Sequence, residues 1–214
     1  MYDNVPLRST SINTNVTHKF FERNLNSDLD DLSLFLGKQY DRIKNGEILK
    51  NDQGEKTLWD TSGSITTSKW NKYNVFQFYH PAIHKLFRSV RSMTVEASEY
   101  YGIDFEKEDF WVQGWFNINY NHVGKLDWHE HGGSGAPWFH GYYCVKAEPS
   151  TTHYKVFDKD FENINKNNRA ILSETGHPHG RDDWFFDSKR ITIAYDITPM
   201  NSLVGVKPNK WMPL

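Results

Sequence analysis

The stretch FWVQGWFNINY, residues 110–120, decides how the chain is to be read. It is the first of a series of short runs rich in aromatic and β-branched residues. The others are 125–129, 138–146, 153–157, 169–173 and 190–198, with Gly, Asn, Asp and Pro between them. Such runs are strand signals, and strands that follow one another without intervening helices pair antiparallel. Ahead of residue 110 the pattern changes. Ser27-Asp28-Leu29-Asp30 opens like a capping box, and Leu29, Leu32, Phe35, Leu36, Tyr40 and Ile43 recur at helical spacing until Asn45-Gly46. A second helix is expected from Pro81, a favoured first-turn residue, with Ile83, Leu86, Phe87, Val90, Met93, Ala97 and Tyr100 on one stripe before Gly102. That stripe packs on the outside of a sheet and carries no chemistry.

Residues 1–26 read as an extended segment with an edge strand, and 50–75 as a long polar loop, either a cover over a portion of a site or a plain surface insertion. Two helices and then a run of strands make a helix-backed barrel or a double-sheet jelly roll. The 214 residues fit one domain, 1–214, with an N-terminal region of extended segment, helices and loop (1–109), a β core (110–200) and a tail (201–214).

Composition narrows the class of function. Twenty-five Lys and Arg against 27 Asp and Glu give a net charge of −2, so no polyanion-binding surface is expected and nucleic acid is not the default partner. No run of about 18 apolar residues appears, and Met1-Tyr2-Asp3-Asn4 lacks the basic and apolar regions of a signal peptide, so no membrane partner is expected and the chain reads as soluble and intracellular. The single cysteine, Cys144, excludes an internal disulfide; within Tyr142-Tyr143-Cys144-Val145 it reads as a small buried apolar residue rather than a nucleophile. Eight Trp, eleven Tyr and fourteen Phe favour strands around a large packed interior.

Candidate chemistry lies in two places. Trp128-His129-Glu130-His131-Gly132-Gly133 follows a strand-like run and sets two imidazoles on alternate residues. On extended backbone these point to one side and reach one metal ion together, while Glu130 points away. The second place is His177-Pro178-His179-Gly180, followed by Lys189-Arg190-Ile191-Thr192-Ile193-Ala194-Tyr195. A third imidazole with an arginine eleven residues later suits a non-haem iron site that also binds a dicarboxylate. Three facial protein ligands leave positions for a bidentate 2-oxo acid and O2, and an arginine receives the distal carboxylate through a two-pronged contact.

The order and spacing of Trp115-Phe116-Asn117-Ile118-Asn119, Gly124, His129-Glu130-His131, Gly141-Tyr142-Tyr143, His179-Gly180 and Arg190-Ile191-Thr192 resemble the 2-oxoglutarate and Fe(II)-dependent oxygenases, specifically the prolyl-hydroxylase-like group with small bacterial and phage members. The resemblance covers roughly 110–198. It implies a mainly β chain with flanking helices, a double-stranded β-helix (jelly roll, cupin-like) backed by the two N-terminal helices. It also implies Fe(II), 2-oxoglutarate and O2 as cofactors, a peptidyl or small-molecule substrate, and the cytoplasm of a bacterium or phage-infected host.

Carried over, the metal ligands are His129, His131 and His179, and the oxo-acid contacts are Arg190, Thr192 and Tyr143, with Tyr120 and Asn117 as further pocket candidates. Position 131 departs from the family pattern, which has a carboxylate there. Three neutral imidazoles leave more positive charge on the metal. Glu130 or Asp127 supplies the carboxylate instead if the strand bulges. His177 competes with His179 for the third ligand position, and His179 is preferred for its following glycine and its distance from Arg190.

Plainer readings stand beside these. Ten histidines make a pair unremarkable, and His122, His140 and His153 read as surface or core residues without a metal. Tyr143 is equally a core aromatic with a satisfied hydroxyl, and Arg190 a cross-strand ion pair. Trp111, Trp138 and Phe139 are candidates for an entrance. The rival functions are a cupin-like three-histidine dioxygenase or isomerase, which leaves Arg190 without a role, and a non-catalytic jelly-roll module of a virion.

Overall fold

The computed structural model describes residues 18–44, 60–61, 64–66, 74–120, 126–131, 137–157, 159–203 and 211–214. In chain order the elements are β1 (Phe21–Asn24), α1 (Leu29–Lys44), β2 (Asp60–Thr61), β3 (Ser64–Thr66), α2 (Pro81–Tyr101), α3 (Phe105–Glu108) and β4 (Phe110–Asn119). There follow β5 (Leu126–His129), β6 (Phe139–Lys146), β7 (Thr151–Val156), β8 (Lys159–Ile164), β9 (Arg169–Glu174), β10 (His179–Arg181), β11 (Arg190–Pro199) and β12 (Met212–Pro213).

Both expected helices form, each for a local reason. Asp28 caps α1, its carboxylate accepting from the backbone N–H of Asp30 and Asp31 at 3.1 and 3.0 Å. For α2, His80 is the cap, accepting from the Ala82 N–H, with Pro81 in the first turn, and Gly102 closes the helix with φ of 70°. Leu32 and Leu36 of α1, with Ile83, Leu86, Val90, Met93 and Ala97 of α2, are fully buried. Helix α2 packs on β1 and β9, and α1 packs on β6.

The strands form two antiparallel sheets. The larger runs β1-β9-β6-β11-β4-β3-β2, with β12 also on β4, and the smaller runs β5-β10-β7-β8. This is the expected double-sheet architecture with helices on one outer face. The first strand lies at an edge of the larger sheet, as expected for that segment. Strands β2, β3, β8, β10 and β12 and helix α3 were not expected. Most of the 50–75 loop lies outside the described residues, but β3 within it pairs with β4 and so extends the larger sheet.

Alternation divides the larger sheet into two chemistries. Phe110, Val112, Phe116 and Ile118 of β4, Tyr143 and Val145 of β6, and Ile191, Ile193, Tyr195 and Ile197 of β11 face the helices in one apolar core. Tyr142 and Cys144 of β6 and Ala194 of β11 belong to a second cluster with Tyr154 and Val156 of β7, between the sheets. Phe139 and Trp138, expected near an entrance, belong instead to the helix-side core. Cys144 is buried as expected, and desolvation pushes its thiol up to about 11.

Gly141 allows one close passage in this core. A Cβ there would collide with the Ile171 carbonyl oxygen and the Tyr195 ring. The Tyr195 hydroxyl donates to that same carbonyl at 2.7 Å. Gly141→Ala should therefore cost about 1–3 kcal/mol as an overpacked site, and Leu86→Ala about 2–5 kcal/mol as a cavity. Urea unfolding followed by tryptophan fluorescence measures both, and a Gly141→Ala midpoint equal to wild type would contradict the close passage.

Candidate metal centre and anion pocket

His129 of β5 and His179 of β10 are direct cross-strand partners, and His131 follows β5 by two residues. One ligating atom from each of the three lies within 4.8 Å of the others, and the ring centroids are 4.3 to 5.7 Å apart. The pairing of β5 with β10 thus joins two segments fifty residues apart in sequence. His129 is exposed, His131 half-buried and His179 buried, so the cluster opens to solvent on one side.

Each ring has its Nδ1 turned to an acceptor. His129 Nδ1 meets the Asp127 carbonyl at 3.0 Å, His179 Nδ1 meets the His177 carbonyl at 3.4 Å, and His131 Nδ1 meets Asp196 Oδ1 at 2.7 Å. Acceptors at Nδ1 hold the hydrogen there and leave the lone pair on Nε2, the tautomer that a metal ligand needs. Burial, with His140, His129 and His131 nearby, pulls His179 down to about 2, which keeps it neutral and able to ligate. The donor set therefore fits a divalent cation.

Asp196 is shared. His140, on β6, donates to the same Oδ1 at 2.8 Å, and its ring stacks on His179 with centroids 4.8 Å apart. Desolvation by itself would raise the Asp196 carboxyl, but the hydrogen bonds from His131 and His140 outweigh it and hold the group at about 2. Burial and the neighbouring His131 lower His140 to about 4. Trp115 lies nearly parallel to the His131 ring at 5.8 Å.

The three imidazoles open into a cavity of about 450 Å³ whose wall is the second face of β4 and β11. Trp115, Asn117 and Asn119 come from β4, and Arg190, Thr192, Ala194 and Asp196 from β11. Arg190 is 6% exposed, with its Nε–H donating to Ser150 Oγ at 3.2 Å and Nη1 to Asn119 Oδ1 at 3.5 Å. Asn165 in turn donates to Ser150 Oγ at 2.9 Å. No carboxylate among the described residues forms an ion pair with Arg190. Burial, and then the charge of Arg181, lower its guanidinium to about 10, still a cation at neutral pH. A buried cation bonded to neutral oxygens suits an anion. Thr192 faces the same space, its Oγ1 3.5 Å from Asn117 Nδ2.

The other expected residues separate. Tyr143 points to the opposite side of the sheet, into the helix-side core, where its hydroxyl donates to Asn168 Oδ1 at 2.7 Å; Tyr142 is the tyrosine that lines the cavity. His177 turns away from the triad, its Nε2 3.3 Å from Glu174 Oε1 and its ring 4.8 Å from that of His18. Glu130 and Asp127 are exposed, and neither joins a cluster of metal donors among the described residues. Tyr120 sits under Lys189 at 5.1 Å, Asn117 lines the cavity, and His153 pairs with Asp182. His122 lies outside the described residues.

Asp196, Tyr142, Asn119 and Arg181 line the cavity and Ser150 bonds to Arg190 without having been singled out as site residues, and His140, read as a core or surface residue without a metal, is buried beside them. For Asp196 a signal existed, because Arg190, Thr192, Ala194 and Asp196 fall on one side of a single strand.

The architecture is that of the double-stranded β-helix seen in solved 2-oxoglutarate and Fe(II) oxygenases. A prolyl hydroxylase from Trichoplax adhaerens, solved with a hypoxia-inducible-factor peptide, superposes with a TM-score of 0.60 at 11% identity over 92% of this chain and 90% of that one. A prolyl-4-hydroxylase from Pseudomonas putida gives 0.54 at 10% identity, covering 85% and 94%. The viral collagen prolyl hydroxylase of Paramecium bursaria chlorella virus 1, solved with 2-oxoglutarate, gives 0.54 at 11%, covering 85% and 96%. No protein-family model and no curated protein matches the sequence.

The buried neutral histidines predict how stability depends on pH. Between about pH 4 and pH 6.5 the unfolded chain takes up a proton that native His140 refuses, so metal-free protein loses stability as pH falls through that window. From pH 6.5 to 5 this one group removes on the order of 2 kcal/mol. Urea midpoints of chelator-treated protein at about pH 7 and about pH 5 measure the effect, and equal midpoints would mean that the ring is not held neutral.

Proposed function

We propose that this protein is a 2-oxoglutarate- and Fe(II)-dependent oxygenase that hydroxylates a peptidyl side chain or a small molecule, with His129, His131 and His179 as the metal ligands. The observation that carries the reading is that one cavity of about 450 Å³ holds both the three convergent imidazoles and a buried guanidinium with no carboxylate partner among the described residues. A metal site alone has no use for Arg190. An anion site alone has no use for three rings whose Nε2 atoms meet no hydrogen-bond partner among the described residues.

When bound, Fe(II) and the oxo acid would together activate O2, which is the oxidant. The chain's own contribution is placement. Arg190, oriented by Ser150 and Asn119, receives the distal carboxylate of the oxo acid, and Thr192, two residues along β11, donates its hydroxyl to the same group. The Nδ1 acceptors of His129, His131 and His179 fix ring orientation and tautomer. The cluster is exposed at His129, so a substrate enters from that side. The Trichoplax neighbour carries a peptide, which supports a peptidyl substrate as one of the two classes.

The three-histidine donor set also suits a cupin-like metalloenzyme that needs no oxo acid, and Arg190 discriminates between the two. Anaerobic titration of the metal-free protein with Fe(II) and 2-oxoglutarate should produce a weak visible charge-transfer band. Arg190→Ala should weaken 2-oxoglutarate binding by about 30-fold or more, and Thr192→Val by about 3- to 10-fold, while both keep Fe(II). His129→Ala and His179→Ala should lose the band. A band unchanged in Arg190→Ala, or Fe(II) binding without any band, would sink the oxo-acid reading in favour of the cupin-like one.

A further inference from the structure

In the oxygenase pattern a carboxylate occupies the ligand position that His131 holds here, so a site of three neutral rings is short of one negative charge. Asp196 lies one hydrogen bond further out. It is 9% exposed, its Oδ1 is 2.7 Å from His131 Nδ1, and no lysine or arginine among the described residues pairs with it. It stands on β11 on the same side as Arg190 and Thr192, in the wall of the cavity.

We infer that Asp196 is the positioning residue of the metal centre and supplies, through His131, the negative charge that a directly bound carboxylate would otherwise bring. The inference rests on the ligand set proposed above. Physically, a carboxylate accepting from Nδ1–H transfers electron density into the ring and makes Nε2 a stronger donor, so the pair acts on a cation as an extended anionic ligand. The geometry suits this work. Asp196 is fixed by a second donor, His140 Nδ1 at 2.8 Å, whose ring is itself held between His131 and His179, with centroids 4.0 and 4.8 Å away. Trp115 covers the other side of His131. The carboxylate therefore has one orientation, and His131 one tautomer.

This arrangement differs from a structural ion pair in a way that can be measured. If the charge matters and not merely the hydrogen bond, moving it back into the ligand position should restore what its removal costs. Glutamate at position 131 reaches about as far from the backbone as imidazole Nε2. Asparagine at 196 can accept from His140 while its amide donates to that glutamate.

Co(II), which reports its own coordination by absorption, is titrated into metal-free wild type, Asp196→Asn, His131→Glu and the His131→Glu/Asp196→Asn double variant, with circular dichroism verifying the fold of each. Asp196→Asn should lose about 10- to 100-fold in Co(II) affinity. His131→Glu alone sets two carboxylates against each other and should also bind weakly. The double variant should bind more tightly than His131→Glu and approach wild type. That comparison keeps its force if Asp196→Asn alone fails to fold.

Folded Asp196→Asn that binds Co(II) within twofold of wild type, or a double variant no tighter than His131→Glu, overturns the inference while leaving the three-histidine centre standing. A wild type that binds no Co(II), or that binds it unchanged after His129→Ala and His179→Ala, overturns the centre itself and the role of Asp196 with it.

Discussion

Strand β11 is hydrogen-bonded on both sides, to β4 through ten paired positions and to β6 along most of its length, and all ten of its residues are buried. A strand in that situation cannot slip, because a shift by one residue would exchange its two faces. One face, Ile191, Ile193, Tyr195 and Ile197, is the floor of the helix-side core. The other, Arg190, Thr192, Ala194 and Asp196, is the wall of the cavity. The burial of the isoleucines therefore holds the arginine, the threonine and the aspartate at fixed heights opposite the imidazoles. Neighbouring β4 repeats the device, with Phe116 and Ile118 on one side and Trp115, Asn117 and Asn119 on the other.

The smaller sheet has the complementary task. It brings the ends of β5 and β10 together so that three rings from two separate stretches of chain converge, and it leaves their outer side open. Between the two sheets the charges are arranged by sign. A buried cation, Arg190, stands at one end of the β11 wall and a buried anion, Asp196, at the other. Their side chains are held apart by the six-residue spacing along an extended strand, about 20 Å of backbone. That separation prevents them from neutralising each other.

Much of this was legible in the sequence. Helical spacing and caps located α1 and α2 nearly to the residue, since Asp28, Pro81 and Gly102 act through their own backbone neighbours. The i, i+2 spacing of His129 and His131 predicted a shared side, and Arg190 and Thr192 line the cavity as that pattern implies. Short strands were the weak point. Strand β8 is polar along most of its length and largely exposed, and β10 has three residues, so neither carries the alternation by which a strand is recognised. The placing of Tyr143 in the pocket, rather than in the core as its plainer reading had it, failed for a related reason. Adjacent residues on a strand face opposite ways, and only the placement of the helices says which way is inward.

What the sequence determined by itself is local: where helices begin and end, which segments are extended, and which residues of one strand share a side. These follow from backbone preferences and from spacing, and need no knowledge of neighbours. What only the tertiary structure decided is which sides meet. That His177 turns to Glu174 while His179 joins the triad depends on the pairing of β10 with β5 and β7. That His140 and His131 share one oxygen of Asp196 depends on β6 pairing with β11, where His140 stands opposite Asp196, and on the chain just past β5 reaching the same place. Hydrogen bonds between residues fifty-six and sixty-five positions apart are set by sheet order and register. Those are properties of the whole packed chain, since register is chosen by the burial of the opposite face.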